Sequence, residues 1–207
     1  VQRIKEEKDT YTIINGDFCN TALKNSKSDV YEDELTPMEQ INKMNSGIYS
    51  DDSIKNSVAT HFTMGVAGYP EKHLEAPNME TDLFYLKEKV RLGAKYVVTQ
   101  LFFDNYKYFD FVRMCRAEGI DVPIVPGLKP ISGLNDIKLL PQTFNIDIPE
   151  DLVKALEECK SNEEARAVGV EWTIAQCKEL MKFGVPALHF YTLGQAESVR
   201  KICSEVF

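Results

Sequence analysis

Three times along the chain, an amphipathic segment ends at a glycine and a continuous apolar segment follows within a few residues. The amphipathic segments are Thr81–Leu92, Tyr106–Glu118 and Glu164–Phe183. Each is predicted to be a helix because its apolar residues recur every three or four positions, and Ser161–Glu164 has the pattern of a capping box before the third. Glycine tolerates the left-handed backbone that follows many helices, so the three helices are expected to end at Gly93, Gly119 and Gly184.

The apolar segments between these helices predict β-strands. Their residues are continuously apolar rather than alternating with polar ones, which is typical of parallel strands covered on both faces. Regular alternation of strands and helices predicts an α/β fold with a parallel sheet. The predicted strands are Tyr11–Ile14, Phe62–Ala67, Tyr96–Phe103, Val122–Val125 and Ala187–Tyr191.

These five strands are fewer than the eight of a closed (β/α)8 barrel, which typically has ~250 residues. The chain is therefore interpreted as one domain over residues 1–207, an incomplete TIM barrel with about the last five strands. An open doubly wound sheet is the alternative, although the sequence has neither a G-x-G-x-x-G loop nor a phosphate-binding G-x-x-x-x-G-K-[ST] loop.

The N-terminal part, residues 1–60, is less regular than residues 61–207. Val1–Asp9 has the character of a helix. The segment Phe18–Ser57 is rich in Asn, Ser, Asp and Glu and is predicted to be a long connection with one helix near Pro37–Met44. Connections of this length are usually functional or mobile.

Composition excludes several classes of function. The 207 residues have a net charge of −8 without a basic patch, so a nucleic-acid partner is not expected. The longest apolar runs are of strand length, so no membrane span is expected. Five cysteines without a C-x-x-C pair predict reduced thiols and a cytoplasmic location, and three widely separated histidines predict no metal site.

The carboxyl ends of parallel strands form the active site in (β/α)8 barrels, so polar residues there are candidates. Gln100 stands inside the apolar run that predicts the third strand. A buried amide needs partners for both of its donors and its acceptor. Two interpretations remain open from the run alone: an interior amide satisfied by backbone, or an amide directed at a polar ligand.

Four other polar residues have ordinary explanations. His73, alone between a turn and an acidic loop, is expected to be exposed. Asp82 falls in the first turn of a predicted helix, where the helix dipole favours an acid. Lys89 on the same helix is expected to be solvated, and Asp17 in Asn15-Gly16-Asp17 has the residues of a turn.

From His61 to Phe207 the chain closely resembles the methylenetetrahydrofolate reductase family, and before His61 the resemblance is weaker, at Asn15-Gly16-Asp17, Tyr31 and Met44–Tyr49. Four ordered motifs at strand ends produce the strong part of this resemblance. They are Gly65-Val66-Ala67-Gly68-Tyr69-Pro70-Glu71-Lys72-His73, Val98-Thr99-Gln100-Leu101-Phe102-Phe103-Asp104, Val125-Pro126-Gly127-Leu128-Lys129-Pro130 and Leu188-His189-Phe190-Tyr191-Thr192-Leu193.

The resemblance implies a TIM barrel with FAD at the carboxyl ends of its strands. It also implies reduction of 5,10-methylenetetrahydrofolate to 5-methyltetrahydrofolate, a reaction of one-carbon metabolism that supplies methionine synthesis. NADH or NADPH reduces the flavin first, and folate then binds over the same flavin face. The redox chemistry belongs to the cofactor, while the protein positions it and the substrates.

The resemblance also implies a role for individual residues. Asp17 corresponds to the catalytic acid near the flavin, and Gln100 to a catalytic position that contacts folate and nicotinamide. Tyr191 corresponds to a position near the substrate. Residues at FAD-contacting positions are Tyr31, Ala67, Tyr69, His73, Asp82 and Lys89.

Departures from the family pattern leave other functions open. Asn15 replaces the usual arginine, and the first three strands, with the glutamate that serves as general acid, are not found in the sequence. Because general-acid catalysis typically contributes about 10²–10⁴-fold, the chain alone is expected to be a poor reductase. Alternatives are a non-catalytic paralogue or subunit-interaction module, and a folate-binding barrel without flavin. The expected partners are folate and either a second copy or a complementing N-terminal part.

Overall fold

The computed structural model describes residues 2–3, 11–15, 37–49, 51, 53–192 and 196–207, of which 2–3 and 11–15 are described by their backbone only. These residues form a single sheet of six strands whose order in the sheet follows their order in the chain. The strands are β1 (Gln2–Arg3), β2 (Tyr11–Asn15), β3 (Thr63–Gly68), β4 (Tyr96–Leu101), β5 (Ile124–Leu128) and β6 (His189–Phe190).

Seven helices connect or follow these strands in the described part of the chain. Three of them, α2, α3 and α6, end close to the predicted glycines, which have φ of 111°, 75° and 92° at Gly93, Gly119 and Gly184. The predicted left-handed helix ends are therefore confirmed. The helices are α1 (Pro37–Asn45), α2 (Met79–Arg91), α3 (Asn105–Ala117), α4 (Asp136–Phe144), α5 (Glu150–Glu157), α6 (Asn162–Phe183) and α7 (Glu197–Val206).

Strands β2 to β6 are all parallel, and β1 is antiparallel to β2. Each crossover places the next strand on the same side of the previous one, as in a (β/α)8 barrel. A doubly wound sheet would reverse this order partway, so that alternative is wrong for the described strands. The helix predicted for Val1–Asp9 is wrong at Gln2–Arg3, which form β1, and residues 4–9 lie outside the described part.

Strand β5 begins two residues later than predicted and continues through Pro126 and Gly127 to Leu128. Proline donates no backbone hydrogen bond and glycine has no side chain to pack, so both residues weaken a strand signal. The ladder with β4 accommodates them by a register shift between Val98 and Leu101. This irregularity lies at the carboxyl end of the sheet, beside Gln100.

Two groups of buried apolar residues stabilise the fold. The larger group lies between β3–β5 and the helices α1, α2, α3 and α6. The smaller group includes Leu101, Phe103 and Ile131, and packs against α4, α5 and α6 near the carboxyl ends of β4 and β5. Trp172 on α6 donates a hydrogen bond of 3.0 Å from Nε1 to the carbonyl of Phe103. The elements that flank the strand ends are therefore part of the core.

Candidate cofactor and substrate site

The carboxyl ends of the five parallel strands lie at one edge of the sheet. The residues that follow them are drawn together because each strand is in register with its neighbour, as Gly68 is with Thr99 and Leu128 is with Phe190. Two clusters of polar side chains lie at this edge. One follows β3 and includes residues of α2, and the other joins the ends of β4, β5 and β6.

The first cluster is built around His73. Its backbone N–H donates a 2.9 Å hydrogen bond to Oδ2 of Asp82, and its Nδ1 accepts a 3.2 Å hydrogen bond from the backbone N–H of Glu75. The ring of Tyr69 meets the His73 ring edge-on, with 4.6 Å between centroids. His73 is 7% exposed, so the expectation of an exposed loop residue is wrong.

Asp82 and Lys89 complete the first cluster from one face of α2, since seven residues are about two helical turns. Both are buried, at 7% and 3% exposure, so the expectation of a solvated Lys89 is wrong. Burial raises the pKa of Asp82, while the hydrogen bond from the His73 N–H and the electrostatic effects of His73, Lys89 and Lys72 oppose that rise. A helix-dipole preference alone does not account for a buried acid with these partners.

The second cluster connects three strand ends. Tyr191 donates a hydrogen bond of 2.9 Å from its hydroxyl to the Thr99 carbonyl, and Oγ1 of Thr99 accepts a 2.9 Å bond from the backbone N–H of Gly127. The His189 ring lies edge-on to the Tyr191 ring at 4.7 Å, and burial lowers the pKa of His189. Burial raises the pKa of Tyr191 to about 12, so its hydroxyl stays protonated near neutral pH.

Gln100 lies beside this cluster and is only partly buried. Its Oε1 accepts a 2.9 Å hydrogen bond from the backbone N–H of Leu101. Backbone therefore satisfies the amide oxygen, as the interior interpretation required, while the side chain keeps contact with solvent, as the ligand interpretation required. The residue has elements of both interpretations.

A buried ion pair lies at the end of β5. Lys129 Nζ is 3.3 Å from Oδ2 of Asp136, and the two side chains are 8% and 12% exposed. The same Oδ2 accepts hydrogen bonds of 2.8 Å and 2.9 Å from the backbone N–H and the hydroxyl of Ser132. The pair therefore holds the first turn of α4 against the end of β5, beside a cavity of about 70 Å³ that Tyr191 and Thr192 also line.

Most of the predicted site residues lie in or beside the two clusters, and two fall on residues that the structure does not describe. Ala67, on β3, and Gln100 are partly buried strand residues. Asp17 and Tyr31 lie outside the described residues. In the described part of the chain, no group of three His, Cys, Asp or Glu residues is arranged to hold a metal ion, and no helix is long and apolar enough to cross a membrane.

Comparison with known proteins assigns these motifs to one family. A profile described as methylenetetrahydrofolate reductase matches residues 36–206. The chain belongs to the methylenetetrahydrofolate reductase family. Because the match begins at residue 36, the family relationship includes α1 as well as the four strand-end motifs.

Curated relatives in this family come from several kingdoms. The chain is 39% identical over 151 residues to a probable methylenetetrahydrofolate reductase (NADPH) of Caenorhabditis elegans, covering 72% of this chain and 23% of that protein. It is 38% identical over 143 residues to the 5,10-methylenetetrahydrofolate reductase of Escherichia coli, covering 69% of this chain and 48% of that protein. The aligned part thus spans less than half the length of either relative.

A solved structure supports the fold. An uncharacterized protein from Clostridium thermocellum, described as binding two copies of 5-methyl-5,6,7,8-tetrahydrofolic acid, aligns with a TM-score of 0.53 and 15% identity. The alignment covers 94% of this chain and 81% of that chain. Together with the parallel strands in sequential order, this confirms the predicted α/β fold as a fragment of a TIM barrel.

Sequence reasoning did not single out three residues that the structure places at the strand ends. Thr99 and Lys129 occur within quoted motifs, but nothing near them in sequence indicates their partners Gly127 and Asp136. Glu71 has a buried side chain although it stands in a polar turn, between Pro70 and Lys72. A polar residue within or directly after an apolar strand was the available signal for Thr99 and Lys129.

Proposed function

We propose that this chain supplies the carboxyl-terminal strand ends of an FAD-dependent reductase that converts 5,10-methylenetetrahydrofolate to 5-methyltetrahydrofolate with NADH or NADPH. The observation that most supports the proposal is the buried cluster of Tyr69, His73, Asp82 and Lys89, because it joins two aromatic rings, an acid and an ammonium group at the end of a barrel strand. Reduced cysteines, two of them buried, are consistent with the cytoplasm as its location.

The residues of this cluster fit a flavin nucleotide. Aromatic rings suit the flat faces of the cofactor, the Asp82 carboxylate suits a hydroxyl or N–H donor, and the Lys89 ammonium suits a phosphate. Their exposure lies between 3% and 9%, so each would meet the cofactor through a few atoms held in fixed positions. When bound, FAD would supply the acceptance and delivery of hydride.

Gln100 and Tyr191 are proposed to contact the folate. A side-chain amide recognises the paired donors and acceptors of a pterin. The Tyr191 hydroxyl stays protonated near neutral pH and donates its one hydrogen to the Thr99 carbonyl, so it would accept a hydrogen bond from a folate N–H. The hydrogen bond from Tyr191 to Thr99 sets the position of that hydroxyl. Asp17, as the acid near the flavin, and Tyr31, as a flavin contact, belong to the same proposal.

The sheet has two outer strands in the described part of the chain, β1 and β6. The outer edge of a strand presents unpaired backbone groups that another chain segment can pair with. This observation favours the second candidate function, a module whose strand edges are completed by a second copy or by an N-terminal part of a reductase. If a second copy completes the edges, size-exclusion chromatography with light scattering would show that the chain alone forms an assembly larger than a monomer. If an N-terminal part completes them, the larger assembly would form when that part is added.

Lys89→Met is expected to weaken FAD binding about tenfold or more, because a charge-assisted hydrogen bond is lost from a buried site. Flavin fluorescence titration of the wild type and the variant measures the change. Lys87→Met is the matched control, since Lys87 lies on the same helix with a half-exposed side chain that pairs with Glu118. Equal affinities for the wild type and both variants would contradict the proposed cofactor site.

A further inference from the structure

In the sequence, Glu71 lies midway between Tyr69 and His73, whose rings belong to the proposed flavin site. Its side chain is 7% exposed. Oε2 accepts a hydrogen bond of 3.0 Å from the backbone N–H of Asp147 and lies 3.7 Å from Nζ of Lys107. Oε1 is buried and has no hydrogen-bond partner among the described residues. The contacts of Oε2 with Asp147 and Lys107 attach the turn after β3 to parts of the fold outside the cluster.

The groups around the Glu71 carboxyl come from two further elements. Lys107 belongs to α3, and Asp147 lies between α4 and α5. Lys107 also pairs with the exposed Asp147 carboxylate at 3.3 Å, and Asp104 adds a negative charge near it. Lys72 is directed elsewhere, since its Nζ donates to the carbonyls of His73 and Ala76. Among the described residues, Glu71 therefore has one nearby cation, Lys107, which it shares with Asp147.

The backbone next to Glu71 adopts an unusual conformation. Lys72 has φ of 76°, in the left-handed region that residues with a side chain rarely occupy. Such a conformation persists when surrounding contacts fix it. Here the contacts lie on both sides: Glu71 accepts from Asp147, and the His73 N–H donates to Asp82. Loss of either contact would allow the turn to relax.

We propose that Glu71 is a positioning residue of the flavin site: by accepting the Asp147 N–H beside Lys107, its carboxyl fixes the turn Pro70–Lys72 and thereby the rings of Tyr69 and His73. This inference rests on the proposed function for the identity of the ligand. The positioning itself is a property of the turn. It is therefore measurable with or without flavin.

The proposal has a pH dependence whose sign follows from burial. Burial raises the pKa of Glu71 from 4.5 to about 7, against the opposing effects of the Asp147 N–H and the Lys107 charge. The ordered turn therefore holds a proton more tightly than an opened turn, in which the carboxyl is solvated. Its stabilisation is complete below pH 4.5 and is lost as the pH rises to about 7.

Two variants and one control test the positioning. Glu71→Ala removes the acceptor, and it is expected to weaken FAD binding about tenfold and to accelerate hydrogen exchange at the Lys72, His73 and Asp147 amides, relative to α6. Glu71→Gln keeps an acceptor for Asp147 but cannot ionise. In wild type, these amides are expected to lose protection relative to those of α6 as the pH rises to about 7, and Glu71→Gln is expected to abolish that additional loss. Glu80→Ala, an exposed acid on α2, should match wild type.

The outcomes separate this inference from the proposed function. If wild type binds FAD and Glu71→Ala binds it equally well with unchanged exchange, the positioning role is overturned. If wild type binds no FAD, the proposed function fails, and faster exchange confined to the turn and Asp147 in Glu71→Ala still supports the positioning. If Glu71→Ala does not fold, the Glu71→Gln variant decides, since retention of the wild-type pH dependence overturns the inference.

Discussion

Replacing Asp136 with alanine is expected to lower the free energy of unfolding by about 3–5 kcal/mol, the usual effect of removing one member of a buried ion pair. The substitution leaves the Lys129 ammonium buried, with a 3.5 Å contact to the Pro130 carbonyl as its remaining partner among the described residues. It also removes the acceptor for the Ser132 N–H and hydroxyl. Urea unfolding followed by circular dichroism measures the change.

Two comparison variants define this effect. Asp151→Ala removes an exposed acid from the first turn of α5 and is expected to change stability by less than about 1 kcal/mol. The double variant Lys129→Met, Asp136→Leu replaces both charges with apolar groups and is expected to recover most of the loss. A double variant as unstable as Asp136→Ala would show that the ion pair is not the source of the destabilisation.

Gly127→Ala is expected to cost about 3 kcal/mol, at the upper end of the usual range for inserting a methyl group into a packed core. A Cβ at this position would lie 2.2 Å from the Thr99 carbonyl oxygen and 2.7 Å from the Tyr191 ring. The backbone of Thr99 cannot move without disturbing the β4–β5 ladder. The same shift would break the Tyr191–Thr99 hydrogen bond, so a change in tyrosine fluorescence should accompany the loss of stability.

Gly119→Ala separates steric overlap from backbone strain. Gly119 has φ of 75°, and a Cβ added there would have no described atom within 4 Å, so alanine meets only the left-handed penalty. That penalty is about 1–2 kcal/mol. Thermal or urea unfolding of the two variants side by side gives the difference. Equal losses for Gly127→Ala and Gly119→Ala would contradict the close approach of β4, β5 and Tyr191.

The parts of the fold that could be predicted are those determined by local sequence. Helix α6 is long and ends at a glycine, and β4 is a continuous apolar run, so their existence followed from periodicity. The first hydrogen bond of the predicted capping box is confirmed, since the Ser161 hydroxyl accepts from the Glu164 N–H. The second hydrogen bond differs from that of a capping box, because the Glu164 carboxylate accepts from the Lys160 N–H instead of the Ser161 N–H.

Helices α4 and α5 were not predicted because their local signals are weak. Helices α4 and α5 have nine and eight residues, and neither ends at a glycine. Pro141 lies inside α4, where proline usually indicates a helix boundary. Asn145, at φ of 52°, takes the position after the helix that glycine usually occupies. Packing against β4 and α6 stabilises both helices, and that contact is not visible in a local window.

Burial at the candidate site could not be predicted for a similar reason. A single histidine after a turn and a lysine on a charged helix have the local character of exposed residues. His73 is buried because the turn after β3 folds onto α2, where the His73 N–H meets Asp82, and Lys89 is buried on the same helix. Only the family resemblance assigned these residues to a ligand site, and that assignment remains a prediction.

The most direct test of the central claim is the visible absorption spectrum of the purified chain after it is mixed with FAD and desalted. We expect flavin bands to stay with the protein through the column. The bands should weaken in Lys89→Met but not in Lys87→Met. A folded chain that emerges colourless from the column would contradict the claim that Tyr69, His73, Asp82 and Lys89 bind the flavin.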